Sequence, residues 1–311
     1  MRGIELSREY YELYGAPMIE ERFPELAHVL AIGLCGSGSE CFGYDDDISR
    51  DHDFDPGFCI FGPDSVDRSD VFRLERAYAS LPREFRGLTR HADTEGGRRG
   101  VIMQSDFFAS RTGHPDGVMT AREWLRLPES YLAEATNGAI FRDDAGTFTA
   151  HREYLMQMPL DVRRKKLAGH LLLMSQSGHY NYARCFARGE RAAAQLACID
   201  FARHAMAASF NIDGKPMPFY KWAFRAFSEL SPELSALADA LEYLITTDND
   251  TALFQTKLEV IKDISAAIVT CAYARGSLSL AHHDLTAAAR DCNDKISDID
   301  LRNLNILYGV E

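Results

Sequence analysis

Asp51 and Asp53 stand at an i, i+2 spacing just ahead of the apolar run Phe58-Cys59-Ile60-Phe61, and a short way upstream lies Gly36-Ser37-Gly38-Ser39. On an extended strand, residues two apart project to the same face, so both carboxylates would reach one metal centre. Their hard oxygen donors suit Mg²⁺, with Mn²⁺ as a substitute, and such cations also bridge substrate phosphates. The glycines let the backbone turn tightly and approach a ligand, while Ser37 and Ser39 add hydroxyl donors. A helix opening after the turn would present unpaired N–H groups to an anion. Gly36, Ser37, Gly38 and Ser39 for phosphates, with Asp51 and Asp53 for metal, make the parts of a nucleoside triphosphate site. Two metals ~3.5–4 Å apart would clamp the attacking and leaving oxygens of an in-line displacement.

The elements that must hold these residues follow from apolar period and punctuation. The sequence predicts short helices over Ser7–Phe23, a strand over His28–Leu34, a brief helical turn at Ser39–Phe42 and a second strand over Asp51–Phe61. A helix over Asp64–Ala79, a strand at Val101–Met103, a helix opened by Ser105-Asp106, another over Trp124–Glu134 and a late strand at Gly138–Phe141 complete the first part. Beyond His151 glycine becomes sparse and alanine frequent. Helices are expected at Leu160–Ser175, Asn181–Ala187, Glu190–Ser209, Tyr220–Glu229, Pro232–Tyr243 and Thr251–Ala274. The reading is α+β: a mixed sheet with helices over residues 1–150, then an all-α helical bundle over residues 151–311.

Composition narrows the function classes. A net charge of -12 argues against binding driven by wrapping nucleic-acid phosphates. Seven cysteines without a CxxC pair indicate neither a zinc ribbon nor a closed disulfide set, and fit reduced thiols in the cytoplasm. No stretch resembles a secretion segment or approaches the ~20 apolar residues of a membrane span.

Gly38-Ser39-x-Cys41-x-Gly43, then Ser49-x-Asp51-x-Asp53 with eleven residues between Ser39 and Asp51, resembles the signature of nucleotidyltransferases of the DNA polymerase β type. Gly36-Ser37 fits the same pattern with a longer gap. The fuller string, with Leu127-Pro128-Glu129, the Gly138–Asp143 strand, Tyr180-Asn181, Arg184 and Tyr220-Lys221-Trp222, is similar to a bacterial branch designated domain-of-unknown-function family 4037. The resemblance implies a nucleotidyltransferase-fold first domain and a helical second domain that supplies the acceptor pocket, with the active site in the cleft between them. It implies Mg-dependent transfer of a nucleoside monophosphate, AMP by expectation, from a triphosphate to a hydroxyl acceptor, with pyrophosphate released. It also implies a third metal carboxylate from a later strand, for which Asp106 is the candidate and Asp143 or Asp144 the runner-up. The acidic balance favours a small-molecule acceptor over a polynucleotide. A nucleotide-binding regulatory protein without turnover, and a toxin-type transferase acting on tRNA or a protein, are the rival readings.

In the helical half, Asn181, Arg184 and Arg188 recur near helical spacing and are candidates to receive phosphate or nucleobase edges, as is Lys221 between Tyr220 and Trp222. Arg163-Arg164-Lys165-Lys166 reads as a solvated helix face, Asp45-Asp46-Asp47 as an acidic solvated loop, and His52 as structural. His282-His283-Asp284 is discounted as a metal site because adjacent helical residues do not share a face.

Overall fold

The computed structural model describes residues 1–51, 54–90 and 98–310, and of Arg50 and Asp51 only the backbone. The chain is α+β and divides into two compact units, Met1–Val118 with Tyr131–Gln157, and Met119–Ser130 with Met158–Glu311. Among the described residues, no helix is long and apolar enough to cross a membrane.

In chain order, α1 (Gly3–Tyr10) runs through a π-helical turn into α2 (Ala16–Arg22); then come β1 (Ala31–Leu34), the one-turn α3 (Ser39–Phe42) and β2 (Cys59–Gly62). Helix α4 (Arg68–Ala79), a small hairpin of β3 (Glu84–Phe85) and β4 (Leu88–Thr89), β5 (Gly100–Met103) and α5 (Gln104–Thr112) follow. Next are α6 (Ala121–Arg126), α7 (Glu129–Thr136), β6 (Ala139–Asp143) and α8 (Thr147–Leu155). The expected helix over Trp124–Glu134 is thus two helices, because Pro128 cannot donate to a helical ladder and disfavours helix at the residue before it.

The first unit is built on a four-stranded sheet of order β5-β2-β1-β6. Strand β1 is antiparallel to both neighbours, and β2 is parallel to β5. Every residue of β1 and β2 is buried, as expected of central strands covered on both faces. Tyr10, Tyr11, Phe58 and Tyr78 meet ring to ring against this sheet, and the π turn before α2 brings Gly15 so close to Phe58 that a Cβ would lie 2.4 Å from its ring. The expected strand over Asp51–Phe61 is corrected: Asp51 closes a 3₁₀ turn, Ile48–Asp51, and the ladder begins only at Cys59. The strand-face argument for pairing the two aspartates therefore does not apply. His52, Asp53 and the Asp51 side chain lie outside the described residues.

The second unit adds α9 (Leu160–Met174), α10 (Tyr182–Ala187), α11 (Arg191–Asp213), α12 (Tyr220–Phe227), α13 (Pro232–Ser235), α14 (Ala238–Thr246), α15 (Phe254–Ala274), α16 (Leu285–Asp294) and α17 (Ile299–Arg302). Helix α9 does not stop at Ser177-Gly178 but continues through a π-helical stretch, Ser175–Asn181, into α10. Gly178 packs there against Phe201, 2.4 Å from an added Cβ, so the wider turn admits a close approach that a side chain would block. The basic run on α9 is likewise corrected. Lys165 is 0% and Lys166 3% exposed. Arg163 donates to the Asn211 carbonyl (2.9 Å), Arg164 to the Lys295 carbonyl (2.9 Å), Lys165 to Asn293 and the Leu304 carbonyl (2.8 and 2.7 Å), and Lys166 to the Leu127 carbonyl (3.1 Å). Four consecutive helical positions point in four directions, and each cation ends on carbonyls that other segments leave over.

Candidate functional site

The glycine-serine turn joins β1 to α3. Gly36 has φ +125°, a conformation open to glycine. The Asn137 side chain clamps it from both sides: the Gly36 N–H donates to Oδ1 (2.9 Å) and Nδ2 donates to the Gly36 carbonyl (2.7 Å). The next residue, Gly138, donates its N–H to the Cys41 carbonyl (2.8 Å), and a Cβ on it would lie 2.0 Å from the Leu34 carbonyl oxygen. Gly38 caps α3 with the Glu40 carboxylate against its Cα, 2.3 Å from an added Cβ.

Ser37 is exposed at the turn, and among the described residues the backbone N–H groups of Ser37, Gly38 and Ser39 have no hydrogen-bond partner. Helix α3 is a single turn closed by Gly43 in the left-handed conformation, so it adds little dipole. An anion here would be held by those N–H groups, the hydroxyls and a nearby cation. That cation is Arg111, from the last turn of α5. Its Nη2 lies 3.0 Å from the position of a Cβ on Gly36, its guanidinium sits 4.0 Å from the Phe107 ring centroid, and Nη1 donates to Ser110 (2.9 Å). Among the described residues its Nε is buried with no partner. Burial pulls the Arg111 pKa down, against the pull of Glu134, whose own carboxyl burial pushes up.

Behind the turn, Arg99 bridges two buried carboxylates, Nη1 to Asp55 (3.1 Å) and Nη2 to Glu40 (3.1 Å), and Asp55 also accepts the Gly57 N–H (2.7 Å). For Arg99, burial lowers the pKa but Asp55 and Glu40 outweigh it, and the net shift is upward. The three residues tie α3 to the segments that lead into β2 and β5. No sequence motif marks this triad; Arg99 and Glu40 stand 59 residues apart. Burial pushes the thiols of Cys35 and Cys41 up, and that of Cys59 to about 12, so none is an activated nucleophile.

Register sorts the remaining acids between the two ends of the sheet. Gly33 pairs with Cys59, Cys59 with Gly100, and Leu34 with Ala139, so the turn shares its end with the starts of β2, β5 and β6. The chain that follows Asp51 and Asp53 enters the sheet at this end. Asp106 does not: β5 leaves the sheet at Met103, opposite Gly62, and Asp106 sits exposed in the first turn of α5. Asp143 pairs with Ala31, also away from the turn, and accepts the Thr149 N–H (2.8 Å); Asp144 binds Arg142 (2.7 Å). The residue α5 delivers to the turn is Arg111, which the sequence reading overlooked.

Asp45 and Asp46 are not simply solvated. Asp45 accepts the Gly3 N–H at the start of α1 (2.8 Å), and Asp46 caps the 3₁₀ turn through the N–H groups of Ile48 and Ser49 (both 3.1 Å). On the second unit, Asn181, Arg184, Arg188 and Lys221 are all exposed. Arg184 stacks on Tyr180 (4.7 Å) and Lys221 on Trp222 (5.0 Å). His282 pairs with Asp291 (2.9 Å) while Asp284 caps α16. Among the described residues, no group of three or more His, Cys, Asp or Glu is arranged to hold a metal ion.

No curated protein and no solved structure matches the chain. Residues 124–223 match the model of a protein family described as Domain of unknown function (DUF4037).

Proposed function

We propose that the first unit binds a nucleoside triphosphate at the Gly36–Ser39 turn and transfers its nucleoside monophosphate, AMP by preference, to the hydroxyl of a small-molecule acceptor, releasing pyrophosphate. The observation that carries the reading is the meeting, at one end of the sheet, of the clamped turn with its unpartnered N–H groups, the Arg111 guanidinium and the start of β2 that follows Asp51 and Asp53. The hydroxyls of Ser37 and Ser39, those N–H groups and Arg111 would bind phosphate oxygens, and Arg111 would stabilise charge gathering on the leaving pyrophosphate. Asp51 and Asp53 have the donor chemistry for Mg²⁺ or Mn²⁺, which would neutralise the phosphates and orient them.

One observation favours a second reading, nucleotide binding without turnover: among the candidates for a third carboxylate, Asp106 and Asp143 stand at the other end of the sheet. One experiment separates the two. ATP and Mg²⁺ are added to the purified protein with a panel of hydroxyl acceptors, and binding and pyrophosphate release are measured for wild type, Asp51→Asn and Asp53→Asn. Transfer predicts release that both variants abolish. Binding without release supports the regulatory reading, and undiminished Mg-nucleotide binding by both variants overturns the site.

A further inference from the structure

Among the described residues the second unit buries three lysines, Lys165, Lys166 and Lys257, and satisfies them unequally. Lys165 donates to Asn293 and to the carbonyls of Arg302 and Leu304. Lys257 reaches Gln195, Asn249 and the carbonyls of Leu244 and Thr247. Lys166 has one acceptor, the Leu127 carbonyl at 3.1 Å, and its nearest carboxylate oxygen, Glu129 Oε1, is 3.9 Å away, beyond a hydrogen bond. An ammonium carries three donors, and a buried one left short is costly. The under-satisfied lysine is the one that lines a cavity of about 320 Å³ formed within this unit.

The rest of the lining is selective. His170 follows Lys166 by four residues on α9 and so shares its face. Glu129 uses Oε2 to accept the Met217 N–H (3.2 Å) and has Oε1 left over. Arg126 stands at the rim with Nε on the Tyr308 hydroxyl (2.7 Å) and its remaining N–H groups unused among the described residues. Phe219 and Tyr220, rings 4.4 Å apart and 51% and 79% exposed, form an aromatic lip. A simple anion would be repelled by Glu129 and a simple cation by Lys166 and Arg126. A ligand bearing both charges on groups of one carbon, with an apolar body, suits Lys166, Arg126, Glu129 and the aromatic lip together.

We propose that this cavity binds a free α-amino acid with an apolar or aromatic side chain, its carboxylate on Lys166 and Arg126, its ammonium on Glu129 Oε1, and its side chain against Phe219 and Tyr220. The site is independent of the nucleotidyl-transfer reading, because it forms from the second unit and needs no nucleotide.

The test is calorimetric titration of the full chain, without nucleotide, using L-phenylalanine, L-leucine, phenethylamine and 3-phenylpropanoate. The amino acids saturate one site, and the amine and the carboxylate bind at least tenfold more weakly than L-phenylalanine. Lys166→Met removes the preference for L-phenylalanine over phenethylamine, and Glu129→Gln removes the preference over 3-phenylpropanoate. Tyr220→Ala, at an exposed position with no part in the core, weakens the amino acid severalfold while leaving the circular dichroism spectrum unchanged. No binding of either amino acid by wild type, equal binding of the single-charge analogues, or undiminished binding by both Lys166→Met and Tyr220→Ala overturns the proposal.

Discussion

Acid should loosen the helical unit through one pair of rings. His170 on α9 and His204 on α11 face each other with Nδ1 atoms 3.2 Å apart, 8% and 5% exposed. Two neutral imidazoles can make that bond, one Nδ1–H donating and the other Nδ1 accepting; a proton added to the acceptor sets two N–H groups against each other. Burial, with help from Arg203 and against Asp200, brings the His204 pKa down to about 4. Burial, His204, Lys166 and Arg203 hold His170 well below its ordinary range. A folded-state pKa below the unfolded value means the unfolded chain binds more protons in between. The stability is therefore complete above the unfolded pKa of about 6.5 and is lost as the pH falls through it toward 4. For His204 alone, with pKa about 4 folded and ~6.5 unfolded, the loss between pH 7 and pH 5 works out at about 2 kcal/mol. The measurement is urea unfolding by far-ultraviolet circular dichroism at the two pH values, for wild type and His204→Asn. Groups remote from the pair cancel, while His170 loses part of its own depression when His204 goes, so wild type should lose at least about 2 kcal/mol more than the variant over that span. Parallel losses in the two proteins would refute the buried-neutral assignment.

Three other outcomes follow from the first unit. Arg99→Gln removes the cation between the Glu40 and Asp55 carboxylates, with side chains 9% and 1% exposed, and should cost roughly 3–5 kcal/mol in chemical denaturation; a cost under ~1 kcal/mol would mean water reaches the triad. Gly138→Ala meets the Leu34 carbonyl at 2.0 Å, whereas Gly189→Ala, at a similar positive φ, meets nothing within 4 Å. The first should lower the melting temperature well beyond the second, by strain of roughly 1–3 kcal/mol, and equal shifts would show that the turn is not clamped. Arg111→Met gives up the stack on Phe107 and the bonds to Ser110 and the Phe107 carbonyl and should lower stability modestly, by roughly 1–2 kcal/mol, while weakening Mg-ATP binding in calorimetry by roughly tenfold or more, the worth of one charge-assisted contact.

What the sequence makes legible here is local. The short strands, the glycine-serine turn and the α3 turn follow from apolar period and small residues within a few positions of one another. What it conceals is whatever depends on distant partners. Arg163 to Lys166 look solvated because nothing nearby tells that carbonyls near residues 211, 295, 304 and 127 gather round α9. The Arg99 triad is hidden for the same reason, and α16 and α17 escape notice because they are short and polar on their outer sides. Asp106 is a different case. It follows a strand, and the direction of that strand decides which end of the sheet it reaches. Strands β2 and β5 are parallel, and parallel neighbours need a crossover such as the one that carries α4 between them. Parallel to β2, β5 must start at the turn end and deliver Asp106 to the other; the returning α5 then carries its last turn, and Arg111, back to Gly36. The direction of β5 thus places Asp106 away from the glycine-serine turn, and the return of α5 brings Arg111 to it.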